Sequence, residues 1–353
     1  MKGILKFLDK IFSPKAPDYE TWTLGQRIDR ILNDSDFKRH CECLSCRNPD
    51  LDNDMEVYEQ IARINVLDIK HPQHRDLIRL SEQELKKSML RFFLWLDEKT
   101  PAYDSLINKA LEKQKYFTCT PKKKGEGSNT SHGRDKRIFV NPNETPLNVG
   151  ALRTAHHEGC HGIEQGFDIG GSKDEKMIEF CSCIVDNLSF EFLKEKRPKL
   201  KNEIKYDQNE YMLENINKAK RALCEACVVK VMNGEGTLQE YQEKYKDIIP
   251  KELMMDVVRD IEHFNFQGMY QGRYLFGQIA ANGFMRLYKE RPQLAVKNLK
   301  LVMGKQAEMT YDQAILTMGL PNKEKLLKDF VEGFQDRYDT LWNRPRRIEN
   351  ITK

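Results

Sequence analysis

The sequence predicts a mainly α-helical protein, α+β in the sense that a short strand or small sheet is set in a helical frame. Three observations carry this. Apolar residues recur three and four apart along most of the chain, the period of one helix face. Two of these stretches open with Ser followed three residues later by Glu, the pattern of a reciprocal helix cap. Only Arg137-Ile138-Phe139-Val140-Asn141 reads clearly as a strand, and Pro142 stops it.

Taken in order, Ile4, Leu5, Leu8, Ile11 and Phe12 share one helical side, with Lys2, Lys6 and Asp9 on the other. Residues 2–12 therefore either pack on the body of the protein or make a weak membrane-surface contact. Charges interrupt this segment and no small-residue cleavage site follows, so it does not read as a signal peptide. Arg27 to Leu32 is a short amphipathic stretch, and Met55 to Val66 reads as a helix. Ser81 and Glu84 form a capping box that opens a helix to about Glu98, and Pro101 opens another to about Lys115. Residues 1–115 thus read as a helical N-terminal region.

PKKKGEGSNTSHGR, residues 121–134, is polar and glycine-bearing, so 116–135 reads as a flexible loop or linker. Residues 136–345 form the second region. After the strand, helices are expected at Pro146–Gln165, Lys173–Lys194, Glu210–Met232, Leu238–Tyr245, Lys251–Phe266, Gly268–Lys289, Leu294–Met303 and Lys323–Trp342.

Composition excludes several classes. With 39% hydrophobic and 32% charged residues, the 353-residue chain is neither collagen-like nor wholly disordered. A net charge of +4 is too mild to mark a nucleic-acid binder, and no nucleic-acid partner is expected. No run of 18 uncharged apolar residues exists. Nine cysteines, an odd number without a scaffold spacing, point to a reduced cytoplasmic protein.

One segment carries chemistry: His157-Glu158-Gly159-Cys160-His161. On a helix, residues four apart lie on one face, so two imidazoles there can grip one Zn²⁺ at about 2.0–2.1 Å each. Glu158 is rotated by roughly 100°. It is poorly placed to ligate beside them but well placed to take a proton from a metal-activated water. Zinc needs a third ligand. Downstream, Ser172 to Glu175 forms the second capping box, which occupies Glu175 at the helix start. Glu179, 18 positions after His161, is the acid best placed on the following helix. Glu175, Asp168 and Cys183 are the alternatives. Asp186, two turns beyond Glu179, is positioned to orient a ligand imidazole. His156 points off the His157/His161 face.

HEGCH, a loop, and Glu179 on a following helix resemble the gluzincin class of zinc metallopeptidases. The strand RIFVN with a helix leading into the motif is also similar to the catalytic core of small bacterial metallopeptidase-like domains. The resemblance covers about residues 136–190. The acid common four positions after the ligand Glu is replaced by Cys183. The resemblance implies a zincin-like core with an HExxH helix and a Glu-bearing helix. It implies one catalytic zinc held by His157, His161 and Glu179, and hydrolysis of a peptide or protein substrate with Glu158 as general base. It also implies a donor for the oxyanion, for which Tyr274, Tyr270 and His263 are the candidates. The alternative is a helical binding or scaffold protein whose HExxH is retired or fortuitous. His40, Cys41, Cys43 and Cys46 cluster within a short stretch, but no second ligand pair follows, so a second zinc there is not expected. Cys224 and Cys227 sit within a helical pattern and read as packed thiols.

Overall fold

The computed structural model describes Gln26 and residues 50–64, 81–103, 105–113, 117–118, 129–130, 138–139, 149–164, 174–263 and 270–342. The N-terminal amphipathic segment, Arg27–Leu32, the Cys41–Cys46 cluster and Thr145-Pro146 lie outside these residues. Helices dominate the described residues, as the apolar period implies.

Helix α1 (Leu51–Ala62) begins earlier than the sequence suggests, because Asp52 and Asp54 in its first turn favour the positive end of the helix dipole. Helix α2 (Glu82–Lys99) carries the expected capping box, with Ser81 N–H donating to Glu84 at 2.7 Å and Glu84 N–H donating to Ser81 Oγ at 3.3 Å. Helix α3 (Leu106–Lys113) does not start at Pro101. Its cap comes from α2: the Asp97 carboxylate accepts from the backbone N–H of Leu106 at 2.9 Å and of Ile107 at 2.8 Å. That partner is tertiary, so local sequence placed the start too early.

Among the described residues the β component is three two-residue strands: β1 (Phe117–Thr118), β2 (Asn129–Thr130) and β3 (Ile138–Phe139). Their order is β1-β3-β2, with β1 parallel and β2 antiparallel to β3. Ile138 and Phe139 of the expected strand are thus in a strand, while Arg137, Val140 and Asn141 lie outside the described residues.

Helix α4 (Val149–Ile163) carries the HEGCH motif. A 3₁₀ turn, Glu175–Met177, leads into α5 (Phe180–Lys196). The expected helix at Lys173 is therefore split, with Glu179 at the junction. Helix α6 (Lys201–Met232) begins well before Glu210, after a turn opened by Pro198. Its first turns are polar and carry no apolar stripe, which hid them. Then follow α7 (Leu238–Lys244), α8 (Lys251–His263), α9 (Tyr270–Glu290), α10 (Pro292–Met303), α11 (Tyr311–Met318) and α12 (Lys323–Trp342). Helix α11 was not expected. Its capping box, Thr310 with Gln313, and the left-handed Gly319 that ends it were legible signals.

The chain divides into two compact units. One includes Cys224–Gly268, with Cys224, Cys227, Leu238, Ile249, Met254 and Val258 in its core. The other includes Arg47–Leu223 and Met269–Lys353. In this larger unit α5 is the central helix. Its first eleven residues, from Phe180 to Phe190, are buried except Asn187, so it shows no polar face. It packs against α4 and α9. Two glycines permit the close approach. A Cβ on Gly159 would lie 2.8 Å from Met89 Sδ and 2.9 Å from Phe93 of α2. A Cβ on Gly277 of α9 would lie 2.7 Å from the backbone oxygen of Glu179. No helix among the described residues is long and apolar enough to cross a membrane.

His156 of α4 belongs to this core. Its ring stacks on Phe92 at 4.5 Å, and its two nitrogens lie 3.1 Å from Ser88 Oγ and 2.7 Å from Ser189 Oγ. Burial pushes its pKa down to about 3, so it stays neutral in the fold.

Two outcomes follow. Gly277→Ala should lower stability by about 1–3 kcal/mol in urea titration, because a backbone carbonyl cannot step aside. Gly283→Ala should cost less, since its Cβ would meet the flexible end of Leu326. For His156 the unfolded chain gains a proton below pH ~6.5 and the folded chain does not, so stability falls with pH over that window. From pH 7 to pH 5 the parent should lose about 2 kcal/mol more than His156→Phe. Equal losses would assign the slope to other groups.

Candidate metal centre

Helix α4 places His157 and His161 one turn apart, and their Nε2 atoms lie 3.2 Å from each other. Glu179 Oε2 lies 3.3 Å from His157 Nε2 and 3.2 Å from His161 Nε2. All three residues are buried. The structure thus brings together the two histidines and the acid singled out from the sequence.

Glu179 holds the N-cap position of α5 with φ −107° and ψ 9°, yet its side chain caps no backbone N–H. The carboxylate instead faces the imidazoles and accepts from Ser182 Oγ at 2.9 Å. Glu175 is elsewhere: it accepts from Arg273 Nη2 at 2.8 Å. The expected capping box is also corrected. Asp174 caps the 3₁₀ turn by accepting from Lys176 N–H at 3.0 Å, while Ser172 and Asp168 lie outside the described residues. Cys183 is not in the group, since its thiol points to the Tyr274 carbonyl oxygen at 3.6 Å.

The outer nitrogens decide the chemistry. His157 Nδ1 is 3.0 Å from Asp186 Oδ2, and His161 Nδ1 is 3.0 Å from Glu164 Oε2. An ionised carboxylate only accepts, so each Nδ1 carries the proton it donates. In the neutral ring Nε2 is then a lone pair. In that neutral tautomer two lone pairs and a carboxylate oxygen converge on one point, where a cation or a shared proton can sit. For bonds of 2.0–2.1 Å in a tetrahedron, donor atoms stand about 3.3 Å apart, which matches the observed triangle. The set fits a divalent cation of zinc type, with the outer carboxylates fixing the rings.

The electrostatics agree. Burial opposes charge at His157, but the Asp186 carboxylate and the bonds to Asp186 and Glu179 push its pKa up to about 10. Burial likewise opposes charge at His161, and Glu179 and Glu164 outweigh it. Glu179 and Asp186 are held below the ordinary carboxylate range despite burial, chiefly by His161 and His157 respectively. Positive charge is favoured here, from protons or from a metal ion.

Asp186 is itself held in place. It accepts from the Tyr211 hydroxyl and lies 3.5 Å from Arg153, which also pairs with Asp207 at 3.0 Å. Glu164, Ser182, Tyr211 and Arg153 were not singled out from the sequence. Glu164 had a signal, three residues after His161 and directly after the end of α4. The others reach the site only through packing.

Glu158 is buried on α4. The Tyr274 ring stacks on the His157 ring with 6.3 Å between centroids and 12° between planes. The hydroxyls of Tyr270 and Tyr274 are 3.2 Å apart. Burial, with Glu179 and Glu158 adding to it, raises the pKa of both phenols, so both stay protonated at neutral pH. His263 ends α8 in the other unit, and its side chain lies outside the described residues.

No family model matches the chain, and no curated protein matches it. Among solved structures it is similar to the crystal structure of a Bacillus anthracis str. Ames protein that carries the provisional name oligoendopeptidase F. The TM-score is 0.52 at 13% identity, over 90% of this chain and 56% of that one. The chain therefore spans little more than half the length of that protein. The likeness establishes a shared helical fold.

Proposed function

We propose that the chain is a zinc-dependent peptidase acting on oligopeptides. The observation that carries this is the convergence of His157 Nε2, His161 Nε2 and Glu179 Oε2, with both outer imidazole hydrogens committed to carboxylates. The fold shared with a protein named oligoendopeptidase F supports the substrate class. In this reading His157, His161 and Glu179 hold the zinc, while Asp186 and Glu164 orient the two rings. Bound zinc would supply Lewis acidity toward the scissile carbonyl and toward water. Glu158 takes the proton of the attacking water and passes it to the leaving amine. Tyr274, with Tyr270 beside it, keeps its proton and donates a hydrogen bond to the developing oxyanion. Cys160, Cys181, Cys183 and Cys227 are buried thiols outside any disulfide, in keeping with a proposed cytoplasmic setting.

The deciding experiment changes Glu158 to Gln. Shape and hydrogen-bonding reach are kept while the base is removed. Cleavage of short peptides should fall by roughly 10²–10⁴-fold at unchanged zinc content. Undiminished cleavage would remove Glu158 from the mechanism. Inertness of the zinc-loaded parent toward every peptide would favour the binding or scaffold alternative.

The ligand assignment is tested by metal analysis of protein purified without added metal. His161→Ala and Glu179→Ala should each lose most of the zinc. Glu175→Ala should keep it, because its partner is Arg273. Loss of zinc from Glu175→Ala with retention in Glu179→Ala would reverse the assignment.

A further inference from the structure

A cavity of about 460 Å³ opens among α5, α6, α9 and α12. That is within the range of small-ligand sites, about 300–1,000 Å³. His157, Glu158, His161 and Glu179 do not line it. Part of its wall is a satisfied hydrogen-bond chain. Asn187 donates to Gln278 at 3.2 Å, Gln278 donates to the Tyr211 hydroxyl, and Tyr211 donates to Asp186.

Other lining groups are not satisfied. Asn215, 4% exposed, has no partner for its Oδ1, and Asn282 has none for its Nδ2. One is an acceptor and the other a donor, and both residues line the cavity. A buried polar group without a partner is costly, so two in one wall call for an occupant. Both atoms are buried as the side chains stand, so an occupant meets them after each carboxamide turns about its broad terminal torsion. A single peptide group supplies the matching pair, its N–H to Asn215 and its C=O to Asn282.

Charge narrows the class. Lys205 and Lys289 also line the cavity, are exposed, and have no acidic partner among the described residues. Lys194 is already paired with Glu191 at 2.9 Å. The surplus charge is positive. Phe190, Met212, Met285 and Phe330 contribute the apolar part of the lining, and Gln208 and Asn209 are further polar residues in it. Peptide group, carboxylate and apolar side chain together describe one chemistry. We propose that this cavity binds the C-terminal end of a short peptide. The last peptide group lies between Asn215 and Asn282, the carboxylate meets Lys205 and Lys289, and the side chain lies on the apolar wall. The site is separate from the metal centre and its existence does not depend on hydrolysis there. Its wall contains Tyr211 and Gln278, which reach Asp186.

The test is isothermal titration calorimetry of the full chain with N-acetyl-alanyl-leucine and with its C-terminal amide. The free acid should bind at one saturable site, and the amide roughly tenfold more weakly, since it lacks the charge-assisted bonds. Asn215→Leu should weaken the free acid by a similar factor. The double variant Lys205→Glu/Lys289→Glu should abolish the acid's preference over the amide. Both lysines are exposed, so this variant keeps its fold. Stripping bound metal from the parent with a chelator should leave binding of the acid unchanged. No binding by the parent would overturn the proposal and leave water as the partner of the two carboxamides. Binding unchanged in the lysine variant, or lost when the metal is stripped from the parent, would also overturn it, the latter by placing the peptide at the metal centre.

Discussion

Two imidazole nitrogens and a carboxylate oxygen stand 3.2–3.3 Å apart inside a helical core, with their lone pairs toward one another. Three acceptors this close repel unless positive charge lies among them. All three residues are buried, so screening by solvent is weak. The surrounding residues make the arrangement stricter, because Asp186 and Glu164 commit the outer nitrogens as donors. A proton on either Nε2, or a divalent ion between all three, relieves the repulsion. The metal serves all three ligands at once, and the triangle has the dimensions of such an ion.

The fold is arranged around bringing α4 and α5 to this separation. Helix α5 is buried on nearly all sides, so its position is set by packing rather than by a solvent-facing edge. Gly277 lets α9 press on the start of α5 where Glu179 turns away from its own helix. The same approach brings Tyr274 over His157. Gly159 does the equivalent on the other side, letting Met89 and Phe93 of α2 press on the metal-binding helix. The cost of a glycine in a helix, about 1 kcal/mol against Ala, is offset by the packing it permits.

Adjacent histidines show how environment separates chemically identical residues. His156 and His157 are neighbours on one helix. His156 meets two serine hydroxyls and a phenyl ring, and burial keeps it neutral. His157 meets two carboxylates, and charge is favoured there although this ring too is buried. The helical rotation between consecutive residues, roughly 100°, is the whole of the difference in direction.

Local sequence was sufficient for the helical class, for the capping box at Ser81, and for His157 and His161 on one helix face. Each is decided by spacing within a few residues, through backbone geometry that neighbours cannot easily change. Glu179 was legible as the best-placed acid, because it lies on the next helix at short range. The start of α3 was not, since its cap is Asp97 from another helix. Nor was the polar beginning of α6, which has no apolar period to read. The engagement of Glu175 with Arg273, Tyr211 with Asp186 and Tyr274 with His157 joins residues far apart along the chain. Such pairs exist only after the helices pack, because no local force brings them together. The sequence by itself determined which residues can hold a cation. The tertiary structure decided which acid faces them, which protons are committed, and what lies behind the site.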